Sequence, residues 1–151
     1  MNILSISATR MTEKSTPTIN LIKSDNYPPN VDVCWAQTPT DGESLTLNFT
    51  VWKVKIDNFT PESYQLWYTS WVTVSPSING KTKFWGSNVP PTHTFPINEV
   101  VIVCLTGTCS SDIHRGFTAQ FSDSSSTLPA PFPGFTSVHN CNNSNHIIKL
   151  K

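Results

Sequence analysis

The stretch Ser111-Asp112-Ile113-His114-Arg115-Gly116-Phe117-Thr118-Ala119-Gln120-Phe121 ends in a strict alternation. Phe117, Ala119 and Phe121 fall on one side of an extended chain and Thr118 and Gln120 on the other, because successive side chains of a strand point to opposite faces. A strand with two aromatic rings on one face needs a second apolar surface to bury them. The same period recurs upstream: Leu45, Leu47, Phe49 and Val51 share a face, and Thr46, Asn48 and Thr50 share the other. Two half-buried strands so far apart in sequence imply a sheet protein with one wet face per sheet.

The chain around these strands is divided by turn signals. Ile19 to Ile22 reads as an edge strand, and Asp25 to Pro29 breaks the chain because proline fixes its own backbone and restricts the residue before it. Val31 to Gln37 reads as a strand around Trp35, and Thr38 to Glu43, with Asp41-Gly42, as a turn. Asp57 to Ser63 is a loop. Tyr64 to Val74 is a strand ended by Ser75-Pro76, and Asn79-Gly80 is a tight hairpin that returns through Lys81 to Trp85. Val89 to Thr94, with Pro90-Pro91, reads as loop. Val100 to Leu105 is an unbroken apolar run that fits a strand covered on both sides. Short strands at this spacing predict an all-β, antiparallel β-sandwich. Its expected limits are residues 21–122, with an N-terminal extension over 1–20 and a Ser/Pro-rich tail or linker over 123–151.

Composition narrows the function. Of the 151 residues only 13% are charged, and they balance to a formal net charge of zero. Nucleic-acid binding and polybasic membrane contact both need an excess of cations, so both are disfavoured. The longest apolar run, Val100 to Leu105, falls far short of the roughly twenty residues of a membrane-spanning helix. Ile3-Leu4-Ser5-Ile6 is too short for the apolar core of a signal peptide, so none is visible in this sequence.

Two features nevertheless point outside the cell. Asn48-Phe49-Thr50, Asn58-Phe59-Thr60 and Asn142-Asn143-Ser144 are acceptor sequons for N-glycans, and alternation turns Asn48 outward. The four cysteines are enough for two disulfides. Cys104 and Cys109 are close enough to clip a hairpin, which leaves Cys34 for Cys141; the alternative is four buried thiols in a reducing compartment.

In order and spacing these elements resemble a CUB domain. Asn26-Tyr27-Pro28 matches the family's opening turn, Trp35 its core tryptophan, and Leu45, Leu47, Phe49 and Trp52 its next strand. Phe84-Trp85-Gly86 is similar to the aromatic-Cys-Gly motif with the cysteine replaced. Pro90, Pro91 and Asn98-Glu99-Val100 follow, and Gly116 to Phe121 matches the closing Gly-Phe-x-Ala-x-aromatic. The resemblance covers about Leu21 to Ser122. It implies a jelly-roll sandwich acting as a secreted or extracellular recognition module for a protein or glycan, as in the spermadhesins, without catalysis. It also allows an accessory region of a larger secreted protein such as an astacin-like protease. An intracellular structural sandwich is the reading without the resemblance.

The departures from the family are specific. Cys34 sits directly beside Trp35, where the family leaves one residue between, so it should point to the opposite face and cannot inherit the family pairing. The family's second pair falls near Trp67 and at Trp85, where facing indoles would replace the crosslink. The carboxylates that bind Ca2+ in many CUB domains fall on Lys55, Ser70 and Cys109, none of which is acidic. No metal site or cofactor is therefore expected, unless Asp57, Glu62 and Asp112 serve from a shifted register.

No catalytic residue is singled out. His93, His114, His139 and His146 lack the two-histidine helical spacing of a zinc hydrolase, and His139, Cys141 and His146 lie in the expected tail. There is no Gly-x-Ser-x-Gly elbow and no glycine-rich phosphate loop. The candidate ligand contacts are aromatic: Tyr68, Trp71 and Trp85, since exposed Trp and Tyr bury a large rigid area on binding. The competing reading packs these rings under the 57–63 loop.

Overall fold

The computed structural model describes residues 17–24, 30–54, 70–107 and 116–138. Its elements are β1 (Thr18–Lys23), β2 (Val31–Gln37), β3 (Thr46–Trp52), β4 (Trp71–Ile78), β5 (Lys81–Phe84), β6 (His93–Thr94), β7 (Val101–Thr106), β8 (Phe117–Asp123) and β9 (Phe132–Val138). They form two sheets, one in the order β1-β8-β3-β6 and the other β5-β4-β7-β2-β9. Every pairing is antiparallel. The expected all-β sandwich is the architecture observed.

The core lies where the alternation places it as far as Phe49. Val51, expected on the same face, is 40% exposed, because the pairing of β3 with β8 shifts by one residue between Phe49 and Val51 and Trp52 packs on the core instead. Leu47 and Phe49 of β3 and Phe117, Ala119 and Phe121 of β8 face Val72 and Val74 of β4 and Val101, Val103 and Leu105 of β7. Trp35 and Trp52 pack against this cluster from the side. Phe117 is its aromatic centre: the Phe49 ring lies 5.3 Å away and the Trp35 ring 5.5 Å. Such pairs contribute about 0.5–1.5 kcal/mol each beyond the area they bury. Gly116 precedes Phe117 for a steric reason. A Cβ there would fall 1.9 Å from Ser24 Oγ, and the same serine exchanges hydrogen bonds with the Phe117 backbone.

Asn79 and Gly80 both take positive φ, 53° and 83°, so the β4–β5 hairpin turns as expected. Three other expectations need correction. β4 does not stop at Ser75-Pro76; it runs through that cis bond to Ile78. Proline is tolerated because Pro76 sits in an irregular stretch, past the residues paired with β7 and between the two parts of the β5 ladder. β7 is not covered on both faces: Val101, Val103 and Leu105 are fully buried, but Ile102 is 41% exposed. Its sheet has a wet outer side, as antiparallel sheets commonly do.

The third correction concerns the tail. The sandwich does not end at Ser122, because β9 pairs with β2 and supplies a fifth strand. The connection from β8 crosses the end of the sandwich, where Leu128 is 7% exposed and the Pro129 carbonyl accepts from Gln37 Nε2 at 2.7 Å and Asn20 Nδ2 at 2.7 Å. Those contacts tie a Ser- and Pro-rich segment to both sheets.

Candidate functional site

Of the aromatic candidates, Trp71 and Trp85 come to one place and Tyr68 lies outside the described residues. Trp71 opens β4 and Trp85 follows β5, at one edge of the five-stranded sheet, and both are half-buried. Two lysines of β5 lean on them. Lys83 Nζ lies 4.7 Å from the Trp71 ring centre, and Lys81 Nζ lies 5.5 Å from that of Trp85 and 5.1 Å from that of Phe84. A cation over an indole face is held by the ring quadrupole. These indoles are therefore already partnered, and each lysine places a charge on an edge strand, a common guard against edge-to-edge association. The 57–63 loop and Trp67 lie outside the described residues.

Trp52 shows what Phe84-Trp85-Gly86 does in the fold. Its indole Nε1 donates to the Gly86 carbonyl at 2.7 Å, linking the two sheets across the sandwich edge. Gly86 has φ +60°, a backbone state that favours glycine.

The cysteines pair differently from the expectation. Cys34 is bonded to Cys104, with Cα atoms 4.0 Å apart, so neither the Cys104–Cys109 clip nor the Cys34–Cys141 link forms through these residues. The two cysteines face each other across the β2–β7 ladder on the side of the sheet opposite Trp35. Adjacency of β2 and β7 decides the pairing, and proximity in sequence does not. Cys109 and Cys141 lie outside the described residues.

Asn48 is half-buried on the outer side of β3, where its Oδ1 accepts from Thr92 Oγ1 at 2.8 Å. Asn58 and Asn142 lie outside the described residues. Ser70 is fully buried, with no partner for its hydroxyl among the described residues, while Lys55 and Cys109 are not described. Among the described residues no three His, Cys, Asp or Glu side chains are grouped so as to hold a metal ion, and no helix is long and apolar enough to cross a membrane.

A second location, which the sequence reading did not find, is a cleft of about 510 Å³ at one end of the four-stranded sheet. Its floor holds Thr46 of β3, Thr94 of β6 and Ser122 of β8, neighbours across three strands. The Thr46 and Thr94 hydroxyls are 2.8 Å apart. The 42–44 turn and Ser124 wall one side. That wall is braced: Asn98 Oδ1 accepts from the Gly42 amide at 2.7 Å, the Asn98 amide donates to the Glu43 carbonyl at 3.0 Å, and Glu43 is hydrogen-bonded to the Ser124 hydroxyl. Asp123, only 5% exposed, accepts from the Thr40 amide at 3.1 Å and the Ser125 amide at 2.9 Å. No local motif marks this cleft, because its residues come from four separate segments joined only by sheet register.

A search of solved structures found the fold. The CUB1-EGF-CUB2 region of human MASP-1/3 matches with a TM-score of 0.51 and 18% identity, over 71% of this chain and 42% of that one. At that identity the likeness establishes a CUB-like fold. No family model matches the sequence, and no curated protein matches it at a significant level.

Proposed function

We propose that this chain is a non-catalytic extracellular recognition module that binds a protein or glycan. The observation that carries the reading is the CUB-like sandwich, matched in a protein built from CUB and EGF domains. The Cys34–Cys104 bond supports it, because structural disulfides persist in oxidising surroundings. Fold likeness alone is an analogy, so the test must be one of binding. The protein, secreted from a eukaryotic host and immobilised, is screened against purified extracellular glycoproteins and an array of glycans, with and without EDTA. Binding that survives chelation is the expected result. Hydrolysis of the ligands, or calcium-dependent binding alone, overturns the reading as stated.

The alternative reading, an accessory region of a larger secreted protein, has support in the matched chain, which carries two CUB domains around an EGF domain. Secretion also makes Asn48 a glycan acceptor, its amide lying on an outer strand face.

A further inference from the structure

The geometry points to the cleft at Thr46, Thr94 and Ser122 as a binding site for an uncharged saccharide, a proposal that rests on the recognition reading above. The first argument is the chemistry of the lining. Its hydroxyls come from Ser44, Thr46, Thr94, Ser122 and Ser124, and no lysine or arginine is among them. Each hydroxyl both donates and accepts, which suits a ligand that is itself covered in hydroxyls. A phosphate, sulfate or sialic acid would find no cation there, and two carboxylates instead.

Those carboxylates do not form a bare acidic pair waiting for a cation. Asp123 is engaged by two backbone amides and Glu43 by the Ser124 hydroxyl, so each already serves as an acceptor within the wall. Asp123, with each oxygen engaged and only 5% exposed, shapes the wall. Half-buried Glu43 keeps lone pairs to accept from a sugar hydroxyl, and charge-assisted bonds of this kind are the stronger ones.

The second argument is shape. Pro17 precedes β1 and Ile97 follows β6, the two outer strands of this sheet, so apolar groups stand near both ends of the polar floor. Ile97 is 63% exposed, an unburied branched residue beside a hydroxyl-lined cleft. A pyranose ring presents C–H faces as well as hydroxyls, and this combination receives both. The three strands of the floor, at about 4.8 Å spacing, span roughly 10 Å, room for a sugar ring, and the cleft volume lies within the ordinary range for small-ligand sites.

The test uses the full chain and saturation-transfer NMR with galactose, mannose, glucose and N-acetylglucosamine, and with sialic acid as the anionic control. Transfer to at least one neutral sugar, with none to sialic acid, is expected. Thr94→Val removes one exposed hydroxyl without changing shape and should weaken binding about fivefold. Ile97→Ser, at an exposed position, should reduce transfer to the ring C–H protons. Equal transfer to sialic acid, no transfer to any neutral sugar, or transfer unaltered in both variants overturns the proposal. The parent reading is scored separately: if the module holds a glycoprotein equally well with and without these substitutions, the cleft assignment fails and the recognition role stands. If the wild-type chain binds neither sugars nor glycoproteins, both fail.

Discussion

Trp35 meets Phe117 edge-on, with ring centres 5.5 Å apart and planes inclined at 80°. Trp35 belongs to β2 and Phe117 to β8, so this contact joins the five-stranded sheet to the four-stranded one. Phe49 and Trp52 close on the same ring from β3. Removing it should therefore be felt on both sides of the sandwich. Phe117→Ala is expected to cost about 3–5 kcal/mol in urea unfolding, and Phe117→Leu about 1.5 kcal/mol or less. A loss below about 1 kcal/mol for the alanine variant would show that the rings do not share one interior.

The Cys34–Cys104 bond closes a loop across a sequence separation of 70. On the chain-entropy view such a crosslink stabilises by about 4 kcal/mol, most of it through restriction of the unfolded chain. The variant with both cysteines changed to alanine should lose stability on that scale, and the urea midpoint of the wild-type protein should fall under reductant. Peptide mapping under non-reducing conditions should recover Cys34 joined to Cys104. Recovery of Cys104 joined to Cys109 instead would contradict the β2–β7 register.

What the residues disclosed and what they hid follow from the range of the interactions. Alternation in Leu45 to Phe49 and in Phe117 to Phe121 is a local signal and marks the core faces of both strands, but it fails at Val51, where a shift in the β3–β8 pairing that alternation alone does not reveal turns the side chain outward. Asn79-Gly80 is local too, since positive φ at consecutive positions selects those residues. The disulfide is not legible in the spacing because proximity along the chain is not proximity in space: β2 and β7 become neighbours only when the sheet assembles. β9 was hidden for a related reason. Its segment holds Pro133 and Gly134, which argue against a strand, and its pairing depends on the edge that β2 offers. The cleft was the least legible, since Glu43, Thr46, Thr94 and Asp123 share no pattern until register aligns them. Tyr68, on which part of the aromatic reading depended, lies outside the described residues.

Gly134 makes the β9 pairing testable. Its φ is +83°, and a Cβ there would fall 1.4 Å from the Cys34 carbonyl oxygen, which belongs to a neighbouring strand backbone and cannot move freely. Gly134→Ala should therefore displace β9 at a cost of about 1–3 kcal/mol. Hydrogen exchange is the discriminating measurement: amides of 132–138 should lose protection while those of β3 and β8 keep theirs. Unchanged protection in the alanine variant would mean that β9 does not lie against β2 in this register.

Asp123 supports a last prediction, on the frame that shapes the cleft. Its two carboxylate oxygens each accept from a backbone amide, Oδ2 from Thr40 and Oδ1 from Ser125, and so hold the β2–β3 and β8–β9 connections together. Asp123→Asn keeps the shape but replaces one acceptor with an amide donor, which then faces another donor in a site only 5% exposed. The loss of one charge-assisted bond, with a donor left unsatisfied, should cost about 1.5–3 kcal/mol. Exchange of the amide that loses its acceptor, Thr40 or Ser125, should quicken in Asp123→Asn, and both should quicken in Asp123→Ala, which removes both acceptors. If neither amide responds to Asp123→Asn, or only one responds to Asp123→Ala, the carboxylate is not the tie between these two connections, and the cleft wall must be held by Asn98 and Glu43 alone.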